Sequence, residues 1–221
     1  MSLKLEGVTH RYGAGMPAVI ADIDMEVPPG QIMAIVGPSG SGKTTLLAIL
    51  GLLLEPWSGR LALDGEAVRG RDVARLRSEH YGWIFQTANT LPRRTVLDNA
   101  ALGLLARGWE VEAAQRRARE ALDVVGLASM ADREAGTLSG GENQRLCIAR
   151  ALAPEPRFVL ADEPTGQLDR RTSDEVVAAL LRARTERTSV VIVTHDLSIA
   201  ERCEVTLTIR DGRLQPAELA G

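Results

Sequence analysis

The chain has only two cysteines, Cys147 and Cys203, and their positions form no metal-ligand spacing. That excludes a disulfide framework and a thiolate metal site; both thiols are expected reduced, with Cys147 packed inward from a helix. A basic excess is also missing. Lys and Arg total 26 against 29 Asp and Glu, a net charge of −3, which speaks against nucleic acid as a partner. No apolar run reaches the roughly 20 residues that cross a bilayer, and "TTLLAILGLLLEPW" stops short of it. "MSLKLEGVTH" lacks the pattern of a signal peptide, so the expected setting is the cytosol. Internal repeats and low-complexity linkers are absent. Lysine is nearly so: Lys4 and Lys43 stand alone among the basic residues, and Lys43 lies inside a glycine-rich loop.

What is present is a chain of 221 residues, 45% hydrophobic, enough for one sizeable domain or a domain with an attached lobe. Residues 3–9 and 18–27 read as strands, the second ended by "PPG". "QIMAIV" (31–36) is a continuous apolar run, as in a strand buried on both faces. A helix is expected from Lys43 to Leu54, stopped near Pro56, and then strands at "RLALDG" and "GWIFQ". From Thr95 to Val125 the spacing turns helical. Val111, Ala114, Ala118, Ala121, Leu122 and Val125 share one face, and Gly126 closes the helix. Strand signals return at "RFVLAD" (157–162), "SVVIVTHD" (189–196) and "VTLTIRDG" (205–212). The pattern predicts an α/β core with parallel central strands and a helical lobe inserted after Gln86. The tail "QPAELAG" is expected to fray, and His10 and His80 read as surface residues.

"GPSGSGKTT" (37–45) follows a buried strand and opens a helix, the context of a phosphate loop. The glycines Gly37, Gly40 and Gly42 let successive backbone N–H groups curl round a polyphosphate, and Pro38, Ser39, Ser41 and Thr45 complete the expected binding loop. Lys43 neutralises its outer phosphates, and the Thr44 hydroxyl takes one Mg²⁺ position. Asp162 ends "RFVLAD", where open α/β sheets place their ligands, and holds Mg²⁺ through water. Glu163 follows and polarises an attacking water. A second helix start occurs in "LSGGENQRLCIARAL". Ser139 caps it with Glu142 at capping-box spacing, and Gly140 and Gly141 leave the first turn uncovered, inviting an anion.

The order of phosphate loop, Gln86 after "GWIF", "LSGGENQR", "FVLADEPTGQLD" and His195 in "IVTHD" resembles the ATP-binding subunit of ABC transporters over essentially the whole chain. The resemblance implies a P-loop NTPase core of residues 1–86 and 157–221, carrying an antiparallel β subdomain, with a helical subdomain at 87–156. It implies ATP and Mg²⁺ as ligands, and a second copy of the chain as partner. Two copies sandwich two ATP molecules, Ser139, Gly140 and Gly141 of one capping the γ-phosphate held by the other. Tyr12 matches the aromatic that stacks on adenine. Gln86 matches the glutamine that touches Mg²⁺ and the attacking water, and His195 the histidine that bonds the γ-phosphate and positions that water. Asp169 matches the aspartate that communicates across the dimer.

"LPRRTVLDNA" and "ADEPTGQLD" look most like the lipoprotein-releasing and macrolide-exporting group. Gln167 stands where that group commonly has asparagine, and Asn143 where arginine or glutamine is frequent. The resemblance implies hydrolysis of ATP to ADP and phosphate to drive a separate transmembrane permease subunit, with export or lipoprotein or peptide extraction as the task. The chain then sits on the inner face of the cell membrane through that partner, at "TANTLPRR". Two rivals stand beside this reading. A soluble ABC ATPase of repair or translation generally carries tandem cassettes or a coiled-coil insertion, which this chain lacks. A phosphate-loop kinase or switch leaves "LSGGENQR" and His195 without a role.

Overall fold

The computed structural model describes residues 1–70 and 72–216. The first half of the chain runs β1 (Leu3–His10), β2 (Ile20–Val27), β3 (Ile32–Val36), α1 (Lys43–Leu50), β4 (Ser58–Leu63), β5 (Glu66–Ala67), α2 (Asp72–His80), β6 (Tyr81–Ile84) and α3 (Val96–Leu105). The second half runs α4 (Val111–Val124), α5 (Gly140–Leu152), β7 (Phe158–Asp162), α6 (Arg170–Ala183), β8 (Ser189–Thr194), α7 (Leu197–Ala200), β9 (Val205–Arg210) and β10 (Arg213–Pro216).

Two sheets form. β2-β1-β4-β5 is antiparallel, and β10-β9-β3-β8-β7-β6 is parallel except for its β9–β10 hairpin. Every residue of β3 is buried, as its unbroken apolar run requires of a strand covered on both faces. α1 fills the space between the two sheets and joins their apolar faces in one core. On the far side of the parallel sheet a second core runs from β7 and β8 through α5 and α6 into α3 and α4 without a break. The inserted helices thus share one core with the sheet through α5. Among the described residues no helix is long and apolar enough to cross a membrane.

The structure departs from the sequence reading at several places. α1 stops at Leu50 rather than Leu54, with Gly51 as its C-cap against Trp83; a Cβ there would lie 1.9 Å from Cζ2 of the indole. Leu52 then takes a left-handed φ of 59°. Val111 is 56% exposed and leaves the inner face of α4, while Ala114, Ala118, Ala121, Leu122 and Val125 are buried. His10 is buried rather than superficial, its Nδ1 3.1 Å from the Glu55 carbonyl and its ring edge-on to Tyr12, and His80 is half-buried. Gln215 and Pro216 of the expected frayed tail belong to β10; residues 217–221 lie outside the described residues. α2, β5, α6, α7 and β10 are not predicted from the sequence.

Candidate functional site

The carboxyl ends of β3, β7 and β8 meet at one point. β3 lies directly beside β8, and β8 beside β7, so Val36, Thr194 and Asp162 deliver their following residues to the same edge of the sheet. From β3 the chain turns through 37–42 into α1. Gly40 and Gly42 have φ of 80° and 102°, and a Cβ on Gly42 would lie 2.8 Å from the Val19 carbonyl, so this turn requires glycine. Gly42 caps α1 with no side-chain bond, which leaves the first N–H groups of the helix free for an anion.

Charge is concentrated there. Lys43 is 7% exposed and its ammonium donates to the carbonyls of Gly37 and Pro38 at 2.8 and 3.1 Å. Glu163, left-handed at φ 44°, brings a carboxylate oxygen to 3.9 Å from Lys43 Nζ. Its other oxygen lies 2.9 Å from His195 Nδ1 and accepts from the His195 backbone N–H at 3.4 Å. Thr44 donates to Asp162 at 3.3 Å. Burial pushes the Asp162 carboxyl above the usual range; the Thr44 hydroxyl acts the other way and the neighbouring Glu163 adds to the rise. A group in that position gains from a cation beside it.

The residues present fit a magnesium–nucleotide. Ser41 keeps a buried hydroxyl oxygen without a partner inside the loop, and a cleft of about 210 Å³ opens over Gly40, Gly42, Lys43, Thr44 and Thr45. No group of three or more His, Cys, Asp or Glu among the described residues could hold a metal by itself. One carboxylate and one hydroxyl need further oxygens, and phosphates supply them. Tyr12 is 60% exposed at the rim, its hydroxyl 2.9 Å from Thr45 Oγ1. Pro38 and Ser39 are exposed in the same loop.

Gln86 follows the end of β6 and is exposed, its amide nitrogen close enough to Gly166 that a Cβ there would lie 3.2 Å away. It belongs with the β7 end of the cluster. The other helix start stands apart. Ser139, Gly140 and Gly141 do not line the cleft at the phosphate loop; Gly140 shares a separate cleft of about 230 Å³ with Gln86, Gln144 and Gln167. The predicted capping box is formed: Ser139 N donates to Glu142 at 2.7 Å, and Glu142 N donates to Ser139 Oγ at 3.3 Å. The backbone bond from Ser139 holds Glu142 below the usual carboxylate range. Only part of this turn is uncovered. Ser139 and Gly140 are exposed, but Gly141 is buried under Thr172 of α6, whose Cγ2 would be 1.9 Å from a Cβ at that position. Asp169 caps α6, accepting from Thr172 N at 3.1 Å and Thr172 Oγ1 at 2.6 Å, and those bonds hold its carboxyl low. The Asp-x-x-Thr spacing carried that signal, and the sequence reading passed over it.

Three polar residues beside the site were also missed as contributors. Gln144, Asn99 and Arg150 bind the segment after β6 through their side chains.

The profile of the ABC transporter family matches residues 20–166. The lipoprotein-releasing system ATP-binding protein LolD of Bordetella pertussis is 44% identical over 214 residues, covering 95% of this chain and 93% of that protein. The macrolide export ATP-binding/permease protein MacB 1/2 of Paracoccus denitrificans is 43% identical over 217 residues; the match covers 96% of this chain and only 32% of that protein. Among solved structures, a dimeric bacterial ABC transporter cassette superposes with a TM-score of 0.84 at 34% identity, covering 99% of both chains. A dimeric cassette in a post-hydrolysis state with ADP and phosphate gives 0.84 at 32% identity, again covering 99% of each.

Proposed function

The chain belongs to the ABC transporter family, and on that premise we propose that it is the ATP-hydrolysing subunit that closes with a second copy of itself around two ATP molecules and drives a separate transmembrane subunit. The observation that carries this reading is the convergence of Lys43, Glu163 and His195 at the sheet end, with the helix start at Ser139 standing away from that cleft. A phosphate bound at α1 is capped on one side only by its own chain. The missing side is of the kind that Ser139 and Gly140 of a second copy present.

In this mechanism Lys43 exchanges its loop carbonyls for phosphate oxygens. Tyr12 supplies the face on which adenine stacks. Thr44, Asp162 and Gln86 would hold Mg²⁺, which when bound would neutralise the charge that builds on the leaving phosphates. His195 keeps the Glu163 carboxylate turned inward, and Glu163 takes the proton of the attacking water. Phosphate release without any acceptor separates this hydrolase from a kinase. Glu163→Gln keeps the shape and removes the base, so turnover falls by roughly 10²–10⁴-fold while ATP–Mg²⁺ still doubles the mass in solution. A variant that hydrolyses normally, or stays monomeric at every ATP concentration, sinks the assignment.

For the membrane side we propose residues 83–94 as the docking surface for a cytoplasmic helix of the permease subunit, residues 87–156 moving as the helical unit that carries it. Trp83, on the edge strand of the sheet, stacks at 5.5 Å on Phe85 just beyond that strand and lines a groove of about 370 Å³. Phe85 and Leu91 are both 43% exposed. Pro92 packs within the lobe against Gly136, so Leu91 is the better probe. Leu91→Asp should weaken co-purification with the permease and leave the ATPase of the isolated chain intact; unchanged co-purification and transport would remove this segment. Location on the inner membrane face, and export or lipoprotein or peptide extraction as the task, follow the likeness to LolD and MacB. The chain spans about a third of the MacB relative.

A further inference from the structure

The stretch from Phe85 to Thr95 has neither helix nor strand, yet side chains from two helices hold it along its length. Gln144, 3% exposed in α5, donates its amide to the Phe85 carbonyl at 3.0 Å. One residue earlier on α5, Asn143 Oδ1 lies 3.0 Å from the Thr90 hydroxyl. Two turns further on, Arg150 donates to the Asn89 carbonyl at 2.9 Å. Asn99 of α3 is fully buried; it accepts from Leu91 N at 2.7 Å and donates to the carbonyls of Leu91 and Thr95 at 3.0 and 2.9 Å. On the sheet side the ladder stops at Ile84, which pairs with Ala161. Beyond Ile84 the segment is therefore held by the lobe and by α5.

We infer that Gln144 is a positioning residue that ties Gln86 to α5, so that the helix start at Ser139 and the Gln86 of the same chain shift as one body. Gln86 is the residue after the Phe85 carbonyl that Gln144 grips, and its own amide lies by Gly166, three residues beyond Glu163. A buried amide bond of this kind is costly to leave unmade, so the pair holds through a rigid-body movement. The inference rests on the two-copy reading proposed above. Under it, Ser139 is drawn toward phosphate in the partner's site, α5 follows, and Gln86 is re-aimed toward Glu163 in the chain's own site. Each site then senses whether the other is filled, a coupling that travels through a named bond.

Trp83 reports on this segment because it stacks on Phe85. With Trp57→Phe and Trp109→Phe, Trp83 is the one indole left, and Glu163→Gln traps the ATP-bound state. In this parent, closure on ATP–Mg²⁺ is expected to give a doubled mass together with a step in Trp83 emission. Adding Gln144→Leu should leave the mass change and remove most of the emission step. In the hydrolysing chain, the same substitution should lower the Hill coefficient for ATP from near two toward about one, the limits for two coupled and two independent sites. Gln144→Asn, with the same donor one methylene shorter, should fall between, and it takes the place of Gln144→Leu if that variant no longer binds ATP as a folded monomer. An emission step that survives in the variants, a dimerising parent that gives no step, or loss of dimer and step together overturns the role of Gln144. A parent that never dimerises overturns the two-copy reading instead, and this inference with it.

Discussion

Two helices of this protein begin at glycines, and they begin in opposite conditions. α1 opens behind Gly42 with no side-chain cap, and its nearest cation, Lys43, donates to carbonyls of its own loop and lies 3.9 Å from Glu163. α5 opens behind Ser139 with a complete capping box and with Gly141 roofed by Thr172. The first start is chemically unfinished and is open to an anion. The second is satisfied within its own chain and offers Ser139 and Gly140 as an outward face. Glycine at a helix start therefore carries two meanings here: before α1, Gly42 permits a left-handed turn pressed against Val19, and in α5 Gly141 leaves room for a neighbouring helix.

The largest test of that contrast places one defect at each start. Lys43→Ala and Ser139→Ala should each lower hydrolysis by roughly 10²-fold or more, the scale of a lost charge-stabilising donor. Mixing them puts both defects into one site of a heterodimer and leaves the other whole, so activity should return in proportion to the heterodimer formed. Mixtures as inactive as their parents, with heterodimers demonstrated, would show that the two starts do not act on one phosphate.

A smaller effect separates the two meanings of glycine. Gly141→Ala should destabilise the fold by about 1–3 kcal/mol through overpacking, and Thr172→Ser, which removes the offending methyl and keeps the hydroxyl on Asp169, should restore much of it. Thermal melting of the single and double variants measures this; equal melting of Gly141→Ala and the unmodified chain would refute the packing role.

The smallest effects concern the starts at rest. Ser139→Ala removes a helix cap, worth about 1 kcal/mol, and should lower the melting temperature by about 2–4 °C. Beside α1, Asp162 has a folded-state pKa raised mainly by burial. Its contribution to stability is thus fully present below the ordinary carboxylate pKa and is lost as pH rises through the raised folded value. Asp162→Asn should therefore melt with the unmodified protein in acid and above it near neutral pH, while hydrolysis is lost. A variant that melts lower at neutral pH would contradict the sign.

Most of the site was legible in the sequence because its parts are local. A glycine loop between a buried strand and a helix specifies a phosphate cradle from nine consecutive residues, and the capping box of Ser139 and Glu142 needs four. The misreadings came from contacts between distant segments. Nothing in "TTLLAILGLLLEPW" announces that Trp83 will pack against Gly51 or that Leu52 will turn left-handed after α1. The alternation around His10 gives no sign of the Glu55 carbonyl that receives its ring. Val111 obeys the helical period, yet it lies at the first residue of α4 and escapes the core. Gln144 and Asn99 look like ordinary helix polars until the backbone they grip is known.

The place of β3 in the sheet also governs how the protein is made. Its partners on either side are β8 and β9, so Val36, the last residue before the phosphate loop, pairs with Thr194 and Thr208. On the ribosome β3 emerges early and waits, with both edges open, until more than a hundred and fifty further residues have been synthesised. An open apolar strand of that kind is an aggregation hazard, and pairings of such long range are slow to form. The strands that flank the phosphate loop are thus among the last parts of the nascent chain to be made.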